Sequence, residues 1–175
     1  MRRVLPIVTL LLAVPAAAQQ RHDTNAPLNF DAGHIELQDK ASRAILSGKV
    51  VVKQAEMTLD AARVTVAYTG QVVDGSPQVS RMDASGGVVV TRPDQAARGQ
   101  YAIYDLNTRV ITMLGAVTLT QGANTVHGGR LTINLDTGRA VIDGSSVGGG
   151  SAAGAGTVTQ SGGRVSGTFS VPKRN

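Results

Sequence analysis

Gly144-Ser145-Ser146-Val147-Gly148 has the G-x-S-x-G spacing of a serine nucleophile held on a strand-to-helix elbow. That chemistry needs a helix behind the serine. Here the run instead opens a tract of Gly, Ser, Ala and Thr that continues to Gly163 without helical periodicity, so it reads as a low-complexity coincidence. His22, His34 and His127 are far apart, lack metal-ligand spacing and have no cysteine to help them. The carboxylates stand singly, mostly where turns are expected (Asp39, Asp74, Asp94, Asp105, Asp136), and Glu56 and Asp60 read as solvated. Two acids of the glycosidase kind would have to meet in space, and turn formation accounts for most of these without it. The residues therefore predict no enzyme, no metal site and no cofactor.

Charge points the same way. The chain carries +5 overall, without a run of basic residues, and has only five aromatic residues. Nucleic-acid binders show a basic stripe or stacking platforms, so no nucleic-acid partner is expected. Residues 1–18 have the layout of a cleaved secretory leader: Arg2 and Arg3, an apolar stretch from Val4 to Val14, then Ala16-Ala17-Ala18 before Gln19. A membrane span would need about 20 apolar residues, more than this run has. With export expected and no cysteine or glycosylation sequon, a bacterial periplasm is the predicted compartment.

The remainder is patterned for strands. Ala44-x-Leu46-x-Gly48-x-Val50-x-Val52, Met82-x-Ala84-x-Gly86-x-Val88-x-Val90 and Ile111-x-Met113-x-Gly115-x-Val117-x-Leu119 alternate with period two, with a glycine at the same place in each. Period two puts each set on one face, and a mid-strand glycine marks a bulge or bend. A partial fourth copy reads Ala140-x-Ile142-x-Gly144. Superposing Gly48 on Gly115 also aligns Gln54 with Gln121, Arg63 with Arg130 and Val66 with Ile133, an internal duplication of a two-strand unit. Apolar parity slips between Leu59 and Val64, which predicts a bulge at Ala61-Ala62-Arg63; Gly128-Gly129 holds the equivalent place. After that bulge Val64, Val66, Leu131 and Ile133 should rejoin the apolar face. The long strand is expected over Arg43–Gln54 and its successor over Met57–Tyr68. The prediction is an all-β domain of bent antiparallel strands. Its aliphatic interior is either a filled core or a trough completed by a ligand's hydrocarbon, and periodicity alone leaves both open.

Leu28-Asn29-Phe30-Asp31-Ala32, Ala44–Gln54, Leu59–Val64, Ala84–Val88, Ala97–Asp105 and Leu114–Gly122, in that order, resemble the OstA-like domain of lipopolysaccharide-transport proteins over roughly residues 28–144. The resemblance implies a twisted, half-open, V-shaped β-jellyroll that shields lipid A acyl chains and joins head to tail with copies of itself and with LptC and LptD-type partners. With the leader and the length, it implies the periplasmic member of the family. An LptC-like anchored relative and a structural β-repeat with a filled core are the alternatives. The family offers no catalytic residues. The candidate groove therefore comes from the alternation: Ala44, Leu46, Val50, Val52, Val64, Val66, Met82, Val88, Val90, Ile111, Met113, Val117, Leu119, Leu131 and Ile133. Residues 19–27 are expected to be a flexible lead-in, residues 145–163 a flexible tract, and residues 164–175 a terminal edge strand and tail. The first strand and the last ordered strand should then offer free edges at opposite ends.

Overall fold

A computed structural model describes residues 22–70, 77–144 and 164–168. The expected leader, the expected turn at Asp74, the Gly/Ser tract with its serine run beyond Gly144, and the expected tail after Thr168 lie outside the described residues.

Ten strands form one antiparallel sheet: β1 (Leu28–Asp31), β2 (His34–Gln38), β3 (Arg43–Gln54), β4 (Met57–Thr69), β5 (Gln78–Arg92), β6 (Gln95–Asp105), β7 (Val110–Gln121), β8 (Asn124–Asn134), β9 (Ala140–Asp143) and β10 (Ser166–Thr168). From β3 to β8 each strand pairs with its chain neighbours. The short strands close the two ends, β1 and β2 lying end to end along β3, and β9 and β10 along β8. A single 3-10 turn, Asp39–Ala41, links β2 to β3.

The repeated glycines bend the sheet. Gly48, Gly86 and Gly115 have φ of +81°, +85° and +83°, and the residue after each (Lys49, Gly87, Ala116) is also left-handed. Strand register shifts at these points, between Ser47 and Val50, Ser85 and Val88, and Leu114 and Val117. Two residues of an odd strand there face one residue of the even strand beside it, which is a bulge, and bulges bend and twist their strand. Glycine is required because left-handed backbone costs other residues about 1–2 kcal/mol and because space is short. A Cβ on Gly86 would lie 2.6 Å from the Cβ of Ala62, and one on Gly115 3.0 Å from that of Gln100.

The bulges line up as a crease dividing the sheet into two arms. Arm one holds β2, Arg43–Ser47, Arg63–Thr69, Gln78–Ser85, Tyr101–Asp105, Val110–Leu114, Arg130–Asn134 and β9. Arm two holds β1 and the other halves of β3 to β8, with β10. Odd strands keep their inward parity across the crease (Leu46 to Val50). Even strands slip by one (Ala61 to Val64), at the place where the sequence predicts a bulge. The extra residue of that bulge, however, lies on the odd strand, at Gly48-Lys49, with Ala62 alone opposite it. Inward side chains from both arms then pack into one aliphatic core. Each fully buried Leu, Ile, Val or Met in it contributes about 1.5–3 kcal/mol.

The partial fourth repeat does not form a fourth bend. β9 stops at Asp143, one residue before Gly144, and covers only arm one of β8. The Ile142 side chain fills the space that a side chain on Gly128 would need, so the end strand finishes at the crease. At the opposite end Gly33 N–H donates to Gly48 C=O at 2.9 Å, tying the break between β1 and β2 to the same line.

Candidate functional site

The inward face is a set of cross-strand rows. Nearest the crease on arm one run Ile35, Leu46, Val64, Ala84, Ala102, Met113, Leu131 and Ile142. The next row runs Leu37, Ala44, Val66, Met82, Tyr104, Ile111, Ile133 and Ala140. On arm two Phe30, Val52, Leu59, Val90, Ala97, Leu119, Val126 and Gly167 form the middle row. Thirteen of the fifteen candidate residues are buried: Leu46, Val50, Val52, Val64, Val66, Met82, Val88, Val90, Ile111, Met113, Val117, Leu131 and Ile133. Ala44 and Leu119 are half-buried against the core. The deep interior is packed, as a filled core would be.

The face is uncovered at its ends. On the N-terminal edge Phe30, Ile35 and Leu37 point to the inward side, opposite Val52, Leu46 and Ala44, yet are 38%, 52% and 57% exposed. At the far edge the inward positions are Ile142, half-buried against the core, and the small Ala140 and Gly167. An apolar surface therefore leads from solvent into the core through the N-terminal mouth.

The sequence reading missed part of the interior. Met57, Leu59, Ala61, Ala97, Ala102, Tyr104 and Leu135 are all buried in it, and Ala84, which the alternation does place on the apolar face, is buried with them. Met57 and Leu59 alternate visibly ahead of the bulge. The β6 contribution is masked, because Ala97, Ala102 and Tyr104 change parity across the crease and two of them are small.

One polar cluster closes the arms. The Tyr104 hydroxyl, on arm one of β6, donates to Oε1 of Gln54, at the tip of arm two of β3, at 2.8 Å. Gln54 Nε2 donates to the carbonyls of Thr24 and Ala26, both at 3.1 Å, and Nε2 of His22 lies 3.3 Å from Gln54 Oε1. Thr24 Oγ1 donates to Asp136 at 3.4 Å. Arg109 donates to Asn25 at 3.3 Å and pairs with Asp136 at 3.3 Å. The residues expected to be a flexible lead-in are, from His22 to Ala26, strapped across the seam between the arms. The reason is Gln54: buried at an arm tip, its amide needs the partners that this backbone supplies. Burial pushes the Tyr104 phenol up to about 12. His34 is exposed on β2, and His127 is exposed on β8 with Nδ1 3.0 Å from Thr118 Oγ1. Among the described residues no three His, Cys, Asp or Glu side chains are grouped to hold a metal, and no helix is long and apolar enough to cross a membrane. The arrangement suits the holding of hydrocarbon.

Residues 29–139 match the model of the LptA/(LptD N-terminal domain) LPS transport protein family. The chain belongs to that family. It is a family of transport proteins, not of enzymes. An uncharacterized protein of Rhizobium meliloti is 33% identical over 121 residues, covering 67% of this chain and 65% of the relative, so the chain spans a little under two-thirds of that relative's length. Among solved structures, LptH of Pseudomonas aeruginosa, described as the LptA-homologous periplasmic component of a lipopolysaccharide transport device, superposes with a TM-score of 0.66 at 21% identity. The match covers 86% of this chain and 99% of LptH. The open, creased sheet is thus an LptA-like β-jellyroll.

Proposed function

We propose that the protein is a periplasmic carrier that holds lipopolysaccharide by its acyl chains in the cleft between the two arms and hands it on toward the outer membrane. The reading rests on one observation above all. The inward apolar rows run unbroken from edge to edge and surface at the N-terminal mouth, at Phe30, Ile35 and Leu37. Each buried CH₂ of an acyl chain is worth about 0.8 kcal/mol, so such a surface holds a lipid without many polar contacts. Family membership supports the substrate class. Acyl chains would enter at the mouth and advance along the candidate groove residues as the arms part.

In the same reading, copies join head to tail, and LptC and LptD-type partners dock, by adding strands to the β1/β2 edge at one end and the β9/β10 edge at the other. No described strand pairs with the outer side of either edge. Contact between unlike ends gives open chains instead of closed rings.

A photo-crosslinker at Ile35 or Leu119, on the inward face, should capture lipopolysaccharide in cells, and one at Glu36 or Thr118, on the outward face, should not. Equal labelling of both faces would remove the cleft from the account. The closed deep interior favours a second reading, a scaffold with a permanently filled core, and that reading requires no labelling at any of the four positions.

A further inference from the structure

The arm-two tips carry an inward row that is not apolar. Beyond Leu28, Gln54 and Met57, Arg92 pairs across to Gln95, Gln95 to Gln121, and Gln121 to Asn124. Arg92 shares the parity of Val88 and Val90, both buried in the core, so it lies on the inward face at the rim. Its guanidinium Nη1 is buried and has no hydrogen-bond partner. A buried donor on a charged group is costly to leave unmade, and such groups in native proteins nearly always have a partner. Among the described residues the one other buried, unpartnered side-chain nitrogen, Nε of Arg130, is on the outward row opposite Asp143.

The two halves of this rim differ. At Gln54 the seam is sealed by the strap of residues 22–26 and by Tyr104, and every polar atom of the amide is used. At Arg92 no strap of described residues crosses, Gln95 is half-buried and Gln121 is exposed. An apolar interior with a closed polar clasp on one half of its rim and an unpaired cation on the other suits an amphiphile whose anionic end leaves through the second half. Guanidinium is the side chain best suited to a phosphate there, because it can donate two parallel charge-assisted bonds.

Building on the carrier function proposed above, we propose that Arg92, flanked by Gln95 and Gln121, is a headgroup subsite that binds a phosphate of the lipid and fixes which way the amphiphile lies in the cleft.

The test measures binding of the purified chain without its leader to diphosphoryl lipid A and to the same lipid treated with a phosphatase. The readout is the ratio of the two affinities, in the parent protein, Arg92→Gln and Arg98→Gln. Arg98 is exposed on the outward face of β6 and serves as the charge control. The parent should prefer the phosphorylated lipid. Arg92→Gln should lower the ratio by about tenfold, the size of one lost charge-assisted contact, with Arg98→Gln matching the parent. Thermal melting of each variant reports whether it folds; Arg92 is half-exposed, so Gln is tolerated sterically. Millimolar inorganic phosphate should leave the ratio intact, and displacement by it would make free phosphate the occupant and overturn the lipid subsite. An unchanged ratio in Arg92→Gln, or an equal fall in Arg98→Gln, also overturns it. A parent that binds both lipids equally ends the subsite but leaves the carrier function standing, and a parent that binds neither ends both.

Discussion

The Tyr104 hydroxyl reaches Gln54 Oε1 from the opposite arm, fifty residues and three strands away along the sheet. That bond makes the fold over the crease diagonal, since arm two of β3 meets arm one of β6 instead of its own other half. It follows that arm one is left without a facing arm at the N-terminal end, where Ile35 and Leu37 are exposed, and arm two at the far end, where Leu119 is only half-buried.

Tyr104→Phe should loosen this closure. Oε1 of Gln54 would keep only His22, and an unsatisfied buried acceptor costs about 1–3 kcal/mol. The pH dependence gives a second readout. Burial raises the phenol from 10.0 to about 12, so the folded state holds this proton more tightly than the unfolded chain. The corresponding stability is complete below the unfolded value and is lost as pH rises through the folded one. Melting curves taken from neutral pH up to about pH 12 should fall less steeply for Tyr104→Phe than for the parent; parallel curves would refute the buried state of this group.

Gly86→Ala and Gly87→Ala separate strain from space at one bulge. Both residues are left-handed, but a Cβ meets nothing within 4 Å at Gly87 and lies 2.6 Å from Ala62 at Gly86. Gly87→Ala should cost about 1–2 kcal/mol, the backbone penalty alone. Gly86→Ala should cost about 1–3 kcal/mol more, because Ala62 must move. Denaturant titrations reversing that order would mean that the crease does not pack as described.

Depth in the cleft should sort core from contact surface. Ile111 is fully buried, and Ile111→Ala should destabilise by about 2–5 kcal/mol. Leu119 is half-buried near the far mouth, so Leu119→Ser should cost less stability while weakening capture of lipopolysaccharide. A Leu119→Ser protein with full stability and unchanged binding would place the lipid path elsewhere.

Removal of residues 145–175 takes away β10 and bares Thr125–His127 of β8, while β9 still covers Arg130–Ile133. The proposed β9/β10 docking edge would then lose its arm-two half. The shortened chain should form head-to-tail chains less readily than the full one in sedimentation velocity. Equal or stronger chaining would show instead that the docking edge lies on β8 and β9 without β10.

Much of this is written in local pattern. Arg43–Gln54 is bounded as the alternation bounds it, and the three bends fall on glycines because left-handed backbone is a local demand that glycine meets. The parity slip near Ala61 is legible for the same reason, since it needs only the strand's own burial order. What local pattern does not carry is how the arms close. The Gln54 amide looks like a solvated strand end until Tyr104 and the carbonyls of Thr24 and Ala26 surround it, and that requires the diagonal fold. Ala44 and Leu119 share the alternation of their buried neighbours; only their places near the two mouths leave them part-exposed.

The pairing of β3 to β8 in strict chain order also bears on how the molecule is made. From β3 to β8 successive strands are joined by two to eight residues, so little loop entropy opposes each pairing of neighbours. A chain emerging N-terminus first can add one strand at a time to a growing sheet. With no cysteine, no oxidation step stands in the way. Stability then accumulates by nearest-neighbour increments, and the outermost strands can detach and return while the middle of the sheet stays formed. If copies join head to tail as proposed above, the exchange of edge partners without unfolding is a freedom that this topology supplies.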